Sequence, residues 1–105
     1  MKMIEIWINC PERETAEKIS DALLANRRIA SANIFPEIQS SYRWKGSIEK
    51  DPEIPLVLKT REENFSLVVD EVREMHPYET PSIIGVPVEF VNRDYLDWVY
   101  AETEQ

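Results

Sequence analysis

The apolar residues recur along the chain either every two residues, as in strands, or about every 3.6 residues, as in helices. The order in which these two periods alternate limits the folds that the chain can adopt. Isoleucines alternate with other residues over 3–9, which predicts a first strand. Pro11 follows and predicts a helix over about 12–27, because proline is tolerated in the first turn of a helix. The chain therefore begins with a strand followed by a helix.

A long hairpin is predicted in the middle of the chain. Residues 29–44 have the pattern of a strand that bends at Pro36, since proline cannot donate to a ladder. Lys45-Gly46 supplies the turn, and residues 47–59 return as the partner strand. This hairpin leaves a sheet edge that should not remain exposed.

The rest of the chain passes from helix to strand and back to helix. Thr60, with Glu63 three residues later, forms a capping box and predicts a helix over about 61–75. Residues 82–90 are predicted to form the last strand, and a short helix over about 93–103 follows.

The predicted order of elements is typical of an α+β, ferredoxin-like βαββαβ domain with an extra C-terminal helix. We expect an antiparallel sheet with the first two helices on one face, in a single domain over residues 1–105. Apolar or aromatic side chains such as Trp7 and Tyr42 would lie on the other face, which then needs a cover. The sequence therefore predicts an oligomer.

Charge and cysteine content restrict the class of partner and the compartment. Acidic residues outnumber basic residues 20 to 12, for a net charge of −8, which argues against nucleic acid as a partner. No apolar run approaches the ~20 residues of a membrane span. Cys10 is the single cysteine, so no intramolecular disulfide forms. We expect a cytoplasmic protein, with no membrane contact.

Four blocks of sequence carry a family resemblance. They are residues 28–46, Lys59-Thr60, the run from His76 to Glu79 with Pro81, and the run from Tyr95 to Trp98. In this order and at this spacing they resemble the CutA family, the divalent-cation-tolerance proteins. The resemblance covers nearly the whole chain. It implies a homotrimer, an architecture that the family shares with the PII nitrogen-signalling proteins.

The resemblance also implies a function. It predicts a cytosolic protein of divalent metal tolerance or response, which binds copper or another divalent cation in clefts between subunits. It implies no enzyme activity and no tightly bound cofactor. The alternative is a PII-like sensor or adaptor that binds a small ligand and signals to a protein partner of unknown identity, an analogy at the level of the fold.

His76 and Glu79 are the candidate metal ligands. His76 is the only histidine, and it matches the histidine of the family's His-Pro-Tyr block. Its imidazole could bind copper or zinc, or it could cap the last carbonyls of the preceding helix. One histidine cannot form a metal site within one chain, so a site would need other subunits. Glu79 either ligates a cation or forms a structural ion pair.

Five residues are candidates for a ligand cleft. Tyr42 and Trp44, near the hairpin tip, form either an aromatic wall or a surface that packs on a neighbouring subunit. Lys59 and Tyr78 match motif positions, and Lys59 would pair with a carboxylate or with an anionic ligand. Asn33 either closes a backbone bond at a bulge or presents its amide to the cleft.

Two further positions concern soft metals. Cys10 lies just before a predicted helix, where its thiolate would be favoured, or it is a small buried residue at the end of the first strand. Ser31 stands where many members of the family carry a cysteine. Serine is a poor ligand for copper(I), so the thiol-based copper site of such relatives is not expected here.

Overall fold

A computed structural model describes residues 1–104 of the 105-residue chain. The elements follow in the order β1 (Met3–Cys10), α1 (Arg13–Ala25), β2 (Ser31–Ile34), β3 (Ile38–Trp44), β4 (Ser47–Arg61), a 3-10 turn (Glu62–Asn64), α2 (Phe65–Met75), β5 (Ile83–Val88) and α3 (Arg93–Glu102). This is the predicted ferredoxin-like α+β domain with an extra C-terminal helix.

The strands form an antiparallel sheet in which β4 has two sets of neighbours. Its second half lies between β2 and β1, and β5 pairs with the other edge of β1. Its first half pairs with β3 in a hairpin. The predicted strand over 29–44 is divided around Pro36 into β2 and β3, which confirms the predicted bend.

The hydrophobic core lies between the sheet and the first two helices. Ile6 on β1 faces Leu58 on β4 and Gly85 on β5, and the core face continues through alternate residues of β1 and β4. Ile19 and Leu23 of α1 and the valines of α2 fill the other side. The longest of the described helices, α1, has 13 residues, and none in residues 1–104 is long and apolar enough to cross a membrane.

The opposite face of the sheet is only partly covered. At one end α3 packs on it, with Val99 buried against Met3 and Ala30. Beyond α3 this open face carries Trp7, which is 39% exposed, and Ile84, which is more exposed still. An uncovered apolar surface on a sheet face is typical of a protein interface.

The hairpin of β3 and β4 projects from the body of the domain. The radius of gyration is 14.3 Å, against about 13 Å for a compact chain of this length. Lys45 and Gly46 at the tip have positive φ values of 47° and 85°. A two-residue turn of this left-handed kind matches the twist of the two strands.

Thr60 does not cap α2, so the predicted capping box is wrong. β4 continues to Arg61, and Thr60 lies opposite Ile4 within the ladder. Its hydroxyl is buried and donates to the carbonyl oxygen of Arg28 at 2.6 Å. α2 begins only at Phe65, after the 3-10 turn.

Candidate functional site

A cleft of about 540 Å³ lies at the base of the projecting hairpin. It is bounded by β3, by β4 at Glu53, by the end of β1 and by the loop that follows α2. The residues that line it are Asn9, Ser40, Ser41, Tyr42, Trp44, Glu53, Tyr78, Glu79, Thr80 and Ser82. Three aromatic side chains and two carboxylates thus share one concave surface.

Strand alternation and a helix stop bring these side chains together. Tyr42 and Trp44 lie two residues apart on β3 and therefore point to the same face. α2 ends at Met75 because His76 precedes a proline, which disfavours the helical conformation. His76 is extended, with ψ of 131°, and the chain turns so that Tyr78 reaches β4.

Two tyrosine hydroxyls donate to carboxylates at the cleft. Tyr78 donates to Oε2 of Glu53 at 2.9 Å, and Tyr42 donates to Oδ2 of Asp51 at 2.6 Å. Burial, followed by the bond to Glu53, raises the pKa of Tyr78. The bond to Asp51 is the main cause that raises the pKa of Tyr42 to about 12. Both hydroxyls therefore keep their protons at neutral pH.

His76 lies behind Tyr78 and has both ring nitrogens engaged. The backbone N–H of Tyr78 donates to Nδ1 at 3.2 Å, so the ring proton is on Nε2, which donates to the carbonyl oxygen of Asn9 at 2.8 Å. The His76 and Tyr78 rings meet edge to face at 4.6 Å. His76 is the C-cap residue of α2 through its backbone N–H, which donates to the carbonyl oxygen of Val72 at 2.8 Å. Its side chain joins the loop to β1 and does not bond the last carbonyls of the helix. A metal ion on this ring would have to displace one of these bonds.

Glu79 lies at the rim of the cleft, close to the hairpin tip. Its carboxylate is 3.7 Å from Nζ of Lys45, and both side chains are exposed, so the ion pair is weak. The same Lys45 ammonium lies 5.5 Å from the centre of the Trp44 ring. The ion-pair partner of Glu79 is thus on the hairpin.

The described chain does not form a metal site by itself. Within residues 1–104, no group of three or more His, Cys, Asp or Glu side chains is close enough to hold a metal ion. The assignment of His76 and Glu79 as metal ligands therefore stays a prediction that needs groups from other subunits.

Cys10 is a small buried residue at the end of β1, which was one of the two interpretations of its sequence position. It is fully buried, and burial, with a smaller contribution from Glu53, raises its pKa from 9.0 to about 11. The interpretation of Cys10 as an activated thiolate at the start of α1 is therefore wrong.

Asn33 and Lys59 lie on the open face of the sheet, and they do not line the cleft. Nζ of Lys59 donates to Oδ1 of Asn33 at 2.8 Å. The cleft ends at Glu53 on β4, and the six residues from there to Lys59 span about 20 Å of extended strand. The expectation that these two side chains share the cleft of Tyr42 and Tyr78 is therefore not met within one chain.

Glu53 is the cleft residue that the sequence did not reveal. In the sequence it belongs to an acidic stretch that has the pattern of a solvated charge cluster, yet the side chain is 7% exposed. The signal lies in the alternation along β4, which places Glu53 on the same face as Pro55 and Val57.

These features define a ferredoxin-like domain with a projecting hairpin and a ligand-sized cleft at its base. The family model described as CutA1 divalent ion tolerance protein matches residues 4–102. The chain belongs to the CutA1 family.

Relatives from distant organisms support this assignment. The divalent-cation tolerance protein CutA of Pyrococcus horikoshii is 42% identical over 98% of this chain and 100% of its own length. Human protein CutA is 40% identical over 93% of this chain, which spans 55% of that protein.

Solved structures agree with this fold. The periplasmic divalent cation tolerance protein CutA of Archaeoglobus fulgidus superposes with a TM-score of 0.95 at 40% identity, over 97% of this chain and 99% of that one. CutA1 of Oryza sativa superposes with a TM-score of 0.96 at 28% identity, over 100% and 96%.

Proposed function

We propose that this protein acts in the tolerance of divalent cations as a homotrimer without enzymatic activity. In this proposal, clefts between subunits bind copper or another divalent cation reversibly. Membership of the CutA1 family supports the link to divalent cations, since relatives are named for tolerance of them.

The charge of the cleft is the observation that carries the proposal. The carboxylates of Glu53 and Glu79 line it, and no lysine or arginine is among its lining residues. One chain supplies two carboxylates, which is too few to hold a metal ion firmly. A neighbouring subunit would supply the missing ligands.

The uncovered surfaces support the assembly of several subunits, and the number three rests on the family resemblance. The open face of the sheet presents Trp7, Ile84 and Val86 to solvent, and the hairpin projects without a layer behind it. A two-stranded ribbon is marginally stable alone in water, so a second copy of the chain is a natural cover for it. Sheet faces and hairpins that pack together would also bring clefts to subunit boundaries.

A chelator-competition titration tests cation binding. The purified protein is titrated with copper(II) and with zinc, beside Glu53→Gln and His76→Ala. Glu17→Gln is the control, because it removes one charge from an exposed position on α1. We expect saturable binding that Glu53→Gln weakens and Glu17→Gln does not. Weak binding that is equal in all four proteins would mean scattered surface carboxylates and would reject the site.

The cleft gives no support to a sensor of anionic ligands. A phosphate or carboxylate ligand needs basic side chains or a cradle of N–H groups, and the lining side chains include no basic residue. For the compartment we propose the cytoplasm, where a single free cysteine is stable. Cell fractionation tests this, and recovery with a periplasmic marker would reject it; the Archaeoglobus protein is named as periplasmic.

A further inference from the structure

The tyrosine oxygens at the cleft are acceptors. The hydroxyl protons of Tyr42 and Tyr78 are both used in bonds to carboxylates, so each oxygen offers only lone pairs to a ligand. The serine and threonine hydroxyls along the wall can donate or accept. The strongest partner for such a surface is a ligand that brings several N–H donors.

Glu53 provides a charged acceptor that is buried and incompletely used. Its side chain is 7% exposed, and Oε2 accepts the bond from Tyr78. The other oxygen, Oε1, has no hydrogen-bond or ion-pair partner among residues 1–104. Since no fully buried side-chain polar atom in these residues lacks a partner, Oε1 keeps some exposed area, and Glu53 is among the residues that line the cleft. One acceptor suits an ammonium better than a guanidinium, which prefers two.

The aromatic rings provide a second attraction for the same charge. The faces of aromatic rings attract cations, and Tyr42, Trp44 and Tyr78 all line the cleft. Lys45 shows this attraction within the chain, because its ammonium lies 5.5 Å from the centre of the Trp44 ring and 3.7 Å from Glu79. A primary ammonium thus already occupies the rim, between an aromatic ring and a carboxylate.

The size of the cleft leaves room for a ligand larger than a metal ion. A volume of about 540 Å³ is far larger than a metal ion needs and falls in the range of small-molecule sites. We propose that the cleft binds a small aliphatic primary amine in its protonated form. The ammonium donates to Oε1 of Glu53 and to the tyrosine oxygens, and the hydrocarbon chain packs against the aromatic rings.

Calorimetric titration with n-butylammonium near neutral pH tests this proposal. The protein is kept in excess EDTA, so the result does not depend on whether the proposed metal binding is correct. Two probes of similar length carry no positive charge: 1-butanol is neutral, and butyrate is an anion. We expect saturable binding of butylammonium, at least about tenfold tighter than that of either probe, since hydrogen bonds to charged groups discriminate strongly.

Three variants locate the site. Glu53→Gln keeps the shape and removes the charge, and we expect a loss of about tenfold or more in affinity. Trp44→Leu changes a partly exposed side chain, so the fold is preserved, and we expect a loss of about two- to fivefold. Glu17→Gln, on α1, controls for net charge and should leave the affinity unchanged.

Three results would overturn the proposal. One is the absence of saturable binding of butylammonium. Another is equal binding of butylammonium and 1-butanol, which would indicate an apolar cleft without charge recognition. The third is an equal effect of Glu53→Gln and Glu17→Gln, which would indicate long-range attraction by the acidic surface. If Glu53→Gln fails to fold, the response of Trp44→Leu and the comparison of probes still decide the question.

Discussion

Tyr78 and Glu53, which line the same cleft from distant parts of the chain, are joined by a hydrogen bond of 2.9 Å. Tyr78 belongs to the loop after α2, and Glu53 belongs to β4 where the hairpin meets the sheet. The bond gives the buried carboxylate its donor and connects the loop to the hairpin. Both the stability of the domain and the shape of the cleft therefore depend on it.

Replacement of Tyr78 by phenylalanine should lower the free energy of unfolding. Glu53 would stay buried without its donor, which costs about 1–3 kcal/mol. Urea denaturation measures this loss. Tyr42→Phe is the matched control, because its bond to Asp51 is exposed to water and should contribute less than about 1 kcal/mol. Equal losses in the two variants would show that the burial of Glu53 does not matter.

The thiol of Cys10 should be protected in the folded protein. At pH 8 iodoacetamide should react slowly with it and quickly after denaturation, because burial disfavours the reactive thiolate. Fast reaction of the native protein would contradict a buried thiol.

The same group makes stability depend on pH. Folding raises the pKa of Cys10 from 9.0 to about 11. The contribution of this group to the free energy of unfolding is therefore complete below pH 9 and is lost as pH rises through 11. Between pH 9 and pH 11 the midpoint temperature of thermal unfolding should fall more steeply for the native sequence than for Cys10→Ala. Parallel curves would assign the decline to other groups, such as the tyrosines.

Gly85 should tolerate no side chain while Phe65 keeps its position. A Cβ at Gly85 would lie 2.9 Å from Cε1 of Phe65 and 3.0 Å from Cδ1. Gly85→Ala should therefore cost about 1–3 kcal/mol through overpacking. Phe65→Leu in the same chain should recover part of that loss, which chemical denaturation of the four proteins in the cycle will show. Strictly additive losses would argue against this contact.

A charge on the open face of the sheet should prevent assembly. We expect a homotrimer by light scattering at micromolar concentration, and Trp7→Glu should shift the mass towards that of one chain, because a charge cannot be buried unpaired. Leu24→Glu is the matched control, since Leu24 has a similar exposure of 42% but lies on α1. If Trp7→Glu assembles as Leu24→Glu does, the open face is not the interface.

The order of elements could be predicted because it depends on local periods. Alternating isoleucines identified β1, and Pro11 identified the helix α1 that follows it. The predicted capping box at Thr60 was wrong because a threonine three residues before a glutamate fits a helix cap and the end of a strand equally well. The pairing of Thr60 with Ile4 on β1 keeps Thr60 in the strand, and this pairing joins distant parts of the chain.

The cleft was predictable only in part, for a similar reason. The position of Tyr42 and Trp44 near the predicted hairpin tip indicated these two residues, and the family resemblance indicated Tyr78. Glu53 was missed because its burial depends on Tyr78, which lies 25 residues further along the chain. No local pattern distinguishes such a carboxylate from its solvated neighbours.

The continuity of β4 bears on how the hairpin can move. β4 runs without interruption from the hairpin tip at Ser47 to Arg61, whereas the other side of the hairpin is broken between β2 and β3. The hairpin could move as a rigid unit only if both strands that connect it to the sheet were interrupted. Here only the connection between β2 and β3 is interrupted. A displacement of the hairpin must therefore twist β4 itself, and the pairing of Ile54 with Cys10 passes that twist directly to the central strand.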